Sequence, residues 1–80
     1  MNLYVSNVSF HTTSNDLEVL FSKYGEVVSA VIVTDKESGR TKGFGFIQME
    51  EEGARLAMNE LQGKEIEGRR LNISIARHKG

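Results

Sequence analysis

Eighty residues, 39% of them hydrophobic, support a single domain, 1–80, with a core just sufficient to fold without staples. The chain has no cysteine and two distant histidines, His11 and His78, which excludes disulfide frameworks and thiolate metal sites; neither metal nor cofactor is expected. Eleven acidic residues against ten basic ones give a formal charge of −1, so attraction to phosphate depends on where the charges lie and not on their sum.

In chain order, Asn2 to Val8 sets Leu3 and Val5 against Tyr4 and Ser6, the alternation of a strand with one covered face. Thr13-Ser14-Asn15-Asp16 predicts a helix start, with Thr13 capping and Asp16 returning the bond from the third helical position. Leu17, Leu20, Phe21 and Tyr24 follow at helical spacing, and Gly25 is expected to end the helix in a left-handed conformation. Val27 to Thr34 is β-branched and aliphatic, a second strand placing Ser29, Val31 and Val33 opposite the core-facing Val27, Ala30 and Ile32. Its apolar run Ala30 to Val33 is far too short to span a bilayer, and no membrane contact is expected. Asp35 to Thr41 is a polar loop. It faintly resembles a calcium loop, but Phe46 stands where the bidentate glutamate is needed.

Lys42-Gly43-Phe44-Gly45-Phe46-Ile47-Gln48-Met49 reads as the third strand. Gly43, Gly45, Ile47 and Met49 form an ordinary core face, whereas Lys42, Phe44, Phe46 and Gln48 form a face that suits neither core nor water. Rings beside a cation on an open sheet suit a flat, negatively charged ligand, and single-stranded nucleic acid fits that description. Glu50 to Gln62 carries Ala54, Ala57, Met58 and Leu61 as a second helical stripe, opened by acidic residues at its dipole-positive end and closed by Gly63. Gly53 in its first turn is expected to weaken it by up to about 1 kcal/mol. Glu65 to Arg70 is turn-rich, with Ile66 turned inward. The final strand alternates Leu71, Ile73 and Ile75 against Asn72, Ser74 and Ala76. The order βαββαβ predicts an α+β, ferredoxin-like sandwich: a four-stranded antiparallel sheet with two helices on one face and the other face open.

On these residues the chain resembles the RNA recognition motif, or RRM, domain. Lys42 to Met49 is similar to the family's octamer, departing only at Met49, and Leu3-Tyr4-Val5-Ser6-Asn7-Val8 is similar to its companion hexamer. The resemblance covers nearly the whole chain and extends to the short single-RRM proteins of bacteria and organelles. It implies that Tyr4, Phe44 and Phe46 stack on bases or pack on sugars, and that Lys42 meets a backbone phosphate. Physical reasoning adds Gln48, Asn72 and Ser74 as readers of base edges, with Arg40, Arg77 and Lys79 as further contacts and His78 either tail or stacking partner.

The expected function is therefore non-catalytic binding of single-stranded RNA by a cytoplasmic monomer. Single-stranded DNA is the nearest alternative partner, since stacking is indifferent to the sugar. A protein-interaction module, using the acidic helix or the sheet, is another. Enzymatic acyl-phosphate hydrolysis is disfavoured by the acidic helix start at Glu50 and by the lack of any nucleophile–base pair. The glycine run has neither the dinucleotide nor the P-loop spacing. Asn7-Val8-Ser9 and Asn72-Ile73-Ser74 match glycosylation sequons, but without a secretory signal they are read as chance.

Overall fold

The computed structural model describes residues 1–76. Its elements are β1 (Asn2–Ser6), α1 (Ser14–Ser22), β2 (Val27–Thr34), β3 (Thr41–Met49), α2 (Glu51–Leu61), β4 (Glu65–Ile66), β5 (Arg69–Arg70) and β6 (Asn72–Ile75). The main sheet is antiparallel with strand order β2-β3-β1-β6, and β4 with β5 forms a small separate hairpin. This is the ferredoxin-like sandwich, with the aromatic strand β3 and the first strand β1 adjacent at its centre.

Each helix begins where its capping chemistry dictates. Thr13 Oγ1 accepts from the Asp16 backbone N–H at 3.1 Å, and Asp16 Oδ2 accepts from the Thr13 N–H at 3.0 Å, a reciprocal capping box. Glu50 caps α2 from outside, its Oε1 accepting from the Gly53 N–H at 2.6 Å. The apolar stripes of both helices then close on one face of the sheet. Leu17 and Phe21 of α1 and Ala54, Ala57 and Leu61 of α2 join Leu3, Val5, Ile32, Ile47, Met49 and Ile73 in one core. Leu20, Tyr24 and Met58 pack half-buried at its margin, and Ile66 of the hairpin tucks beneath it.

The two edge strands are not left bare. On β2 the Ile32 N–H donates to Ser14 Oγ at 2.9 Å, so the first turn of α1 occupies one donor of that edge. On β6 the Gln62 side-chain amide stands in for a missing strand. Its Oε1 accepts from the Ile73 N–H at 2.9 Å, and its Nε2 donates to the Ile73 carbonyl. Paired edge groups are unavailable for sheet extension by another chain.

Three sequence expectations are corrected. Gly25 is not a left-handed stop: positive φ among the glycines occurs at Gly39, Gly43, Gly63 and Gly68. Helix α1 ends instead in a tight turn, with Lys23 right-handed and the Tyr24 N–H donating to the Phe21 carbonyl at 3.0 Å. What Gly25 provides is proximity. A Cβ there would lie 3.0 Å from the Gly53 Cα, and one on Gly53 would lie 2.8 Å from the Tyr24 carbonyl oxygen. Gly53 is thus a packing necessity and not a weakness of α2. Ile75, expected to be covered, faces the helix side opposite Leu3 but is 48% exposed, as it ends the edge strand and borders an open, shallow groove with Met58 and Gln62. Gly63, expected to close α2, does so in a left-handed conformation at φ 76°.

Gly53→Ala tests this reading. Helix propensity alone would raise stability by up to about 1 kcal/mol. Overpacking of the kind a Cβ would cause here typically costs about 1–3 kcal/mol. A lowered urea midpoint is expected, and a raised one would contradict the close helix–turn contact.

Candidate nucleic-acid interface

Strand register decides which side chains meet on the face away from the helices. Tyr4 lies opposite Phe46 on one side and Ser74 on the other, and Phe46 lies opposite Val31. Val31, Phe46, Tyr4 and Ser74 therefore form one row across all strands of the main sheet. Gln48 pairs with Asn2 and Ser29, making a second, polar row. Ser6 pairs with Phe44 and Asn72, making a third. Because side chains alternate, the residues between these positions are the core residues Leu3, Val5 and Ile47.

The rings form a compact cluster. Tyr4 is 5.7 Å from Phe44 and 5.5 Å from Phe46, centroid to centroid, both tilted; Phe44 and Phe46 are 6.2 Å apart, edge to face. Edge-to-face neighbours hold each other's orientation and leave outward faces free. Phe46 is 42% exposed, and Tyr4 and Phe44 are half-buried by one another. None belongs to the core. Val31, at 51% exposure, extends the apolar floor on the β2 side, where a shallow groove runs between Ser29, Phe46, Gln48 and Asn2.

Glycine sets the floor. A Cβ at Gly45, between the two phenylalanines of β3, would collide with the Val31 carbonyl oxygen and lie 3.2 Å from the Ile32 Cα. Only glycine there lets β2 come close enough to bring Val31 beside Phe46. A bulge at Val28, which has no partner in β3, keeps the face in phase: Val27 pairs with Met49 on the core side and Ser29 with Gln48 on the open side.

The remaining expected residues divide by location. Gln48, Asn72 and Ser74 are exposed on the open face, in register with the rings. Lys42 is exposed at the end of the sheet and lines a depression with Tyr4 and Phe44. Arg40 lies off the ring face, in the loop from β2 to β3, beside Phe10 and His11. Arg77, His78 and Lys79 lie outside the described residues. The acidic residues opening α2 belong to the helical layer, where Glu51 pairs with Arg55 at 2.9 Å. Among the described residues no set of acidic and histidine side chains converges to hold a metal ion. Also among them, no helix is long and apolar enough to cross a membrane.

Several residues that matter to this surface were not singled out by the sequence. Asn2 and Ser6 complete the polar and third rows, visible only once the register is known. Asn7, within the hexamer, adopts φ 58° and acts as a brace. Its Nδ2 donates to the Arg70 carbonyl at 2.8 Å, and its Oδ1 accepts from Arg69 at 2.8 Å, tying the β4–β5 hairpin to the end of β1. Phe10 and Arg69 meet at the same end of the sheet, the guanidinium carbon 5.6 Å from the ring centroid.

Comparison with known proteins agrees with this geometry. The family model of the RNA recognition motif matches residues 3–72. The putative RNA-binding protein RbpD of Nostoc sp. is 42% identical over 78 residues, covering 96% of this chain and 83% of that protein. Small RNA binding protein 1 of Cucumis sativus is also 42% identical over 96% of the chain, which spans 49% of that protein's length. Among solved structures, RNA Binding Protein PG1 superposes with a TM-score of 0.93 at 43% identity, covering 100% of this chain and 98% of that one.

Asn7→Ala should lower stability by about 1–3 kcal/mol, combining the loss of its hydrogen bonds with a left-handed backbone that alanine tolerates poorly. Asn7→Gly, which keeps that backbone accessible, should lose less. Urea denaturation of the three proteins checks the order; equal stability of all three would remove Asn7 as a brace.

Proposed function

The chain belongs to the RNA recognition motif family, and from that premise we propose that it is a non-catalytic module that binds single-stranded RNA on the open face of its sheet. The observation that carries the proposal is the ring cluster of Tyr4, Phe44 and Phe46, held in register at the sheet centre and left uncovered by both helices. Unpaired bases expose π-faces that such rings can cover, a sequence-tolerant contact worth about 1–3 kcal/mol per base. Gln48, Asn72 and Ser74, with Asn2 and Ser29 beside them, supply amides and hydroxyls where the edges of stacked bases would lie, and these are the groups we assign to sequence preference. Lys42 at the end of the sheet takes a phosphate in this reading, with Arg40 in the neighbouring loop as an outer contact.

The acidic total charge shapes the affinity. Among the described residues few cations border the open face, so stacking must outweigh the rigid-body and ordering costs of association, which reach several kcal/mol. The balance gives binding of about micromolar strength to about three or four nucleotides.

Titration of short RNA oligomers, with DNA oligomers in parallel, tests the reading on Tyr4→Ala, Phe44→Ala and Phe46→Ala. Each variant should weaken RNA binding by about 1–3 kcal/mol, on the order of 5- to 100-fold, while still melting cooperatively. Unchanged affinity in all of them would overturn the assignment, as would loss of folding in place of loss of binding.

A further inference from the structure

Phe10 is the most exposed phenylalanine among the described residues, at 67%, yet the loop that carries it is firmly built. Val8, Ser9 and Thr12 around it are buried, at 1%, 5% and 5% exposure. The Val8 N–H donates to the Gly43 carbonyl at 2.8 Å, and the Thr12 N–H donates to the Ser9 carbonyl at 3.1 Å. Thr12 Oγ1 donates to Glu67 Oε1 at 3.1 Å, fastening the loop to the β4–β5 hairpin. A braced loop that holds a phenyl ring in water has already met the ordering cost of presenting it to a ligand.

The surroundings of the ring indicate what that ligand is. The Arg69 guanidinium sits 5.6 Å from the ring centroid and is oriented by Asn7 Oδ1. Two depressions meet at Phe10. One continues to Tyr4, Phe44 and Lys42, and the other leads to His11 and Arg40. The ring is thus bordered by Lys42, Arg69 and Arg40, while the neighbouring carboxylate of Glu67 is engaged by Thr12. An aromatic face with cations around it matches a nucleobase with its flanking phosphates, the same chemistry as the sheet but at a separate position.

We propose that Phe10 is a fourth stacking platform, which receives one further nucleotide of a strand already seated on Tyr4, Phe44 and Phe46, with Arg69 and Arg40 meeting the adjoining phosphates. This inference rests on the RNA-binding reading above. It makes the footprint longer than the sheet alone would give, and it makes the gain from chain length depend on a loop residue.

The test compares RNA oligomers of about three and about six nucleotides, drawn from the best-bound sequence of a random-oligomer array. The wild-type chain should gain about tenfold in affinity on lengthening, the worth of one stacked base. Phe10→Ala should lose that gain and bind the short oligomer as the wild type does. Phe10→Trp should keep the gain, and Phe10→Leu, which preserves apolar bulk without a π-face, should not. The proposal is overturned if Phe10→Ala matches wild type at both lengths, if it weakens both lengths equally, or if Phe10→Leu restores the gain in full. The short oligomer separates the two readings. If the wild type binds it and Tyr4→Ala, Phe44→Ala and Phe46→Ala bind it more weakly, the sheet assignment stands whatever Phe10 does; if all three bind it like the wild type, both fall.

Discussion

The antiparallel pairing of β1 with β3 is the constraint on which the rest depends. With Leu3 opposite Ile47 and Tyr4 opposite Phe46, every aliphatic side chain of the two central strands points to the helices and every aromatic one points away. A slip of one residue would bury the rings and expose the aliphatic set, so the core itself enforces the register. Burial of Leu3, Val5 and Ile47 at 0% exposure makes that slip costly. Stability of the fold and presentation of the rings are thereby one and the same choice. The face is held ready because the opposite face cannot be placed anywhere else.

The surface so formed differs from a purely electrostatic nucleic-acid site. The chain carries a formal charge of −1, and three of its eleven acidic residues, Glu51, Glu52 and Glu60, lie on α2 in the helical layer. Cations gather instead at one end of the sheet, where Lys42, Arg69 and Arg40 border Phe10. Such segregation lets an acidic protein present a locally basic margin to a strand while discouraging indiscriminate adsorption to polyanions. In the function proposed here, specificity is assigned to the amides and hydroxyls of the polar rows and not to charge.

Much of this was legible in the chain itself because it is written in local patterns. The capping box at Thr13, the helical stripes, the strand alternation and the octamer-like run each depend on residues close in sequence, and each appears as read. The features that escaped are produced by distant segments meeting. Gly53 looks like a poor helix former until Tyr24 and Gly25 are seen against it. Gly25 looks like a helix stop until the turn is found to close through Phe21 and Tyr24 alone. Ile75 follows its strand's alternation perfectly, yet at the end of an edge strand it borders an open groove beside α2 and stays half exposed. The Phe10–Arg69 contact joins positions far apart in the chain through Asn7, whose bracing role no local pattern announces.

Proton NMR of the aromatic rings during RNA addition addresses the central claim most directly. Stacking of a nucleobase on a ring moves the ring protons upfield, and the effect fades within a few ångströms. Resonances of Tyr4, Phe44 and Phe46 should shift upfield while the amides of Ser14–Ser22 and Glu51–Leu61 stay in place. Shifts confined to the helices, with the ring protons unmoved, would contradict the account.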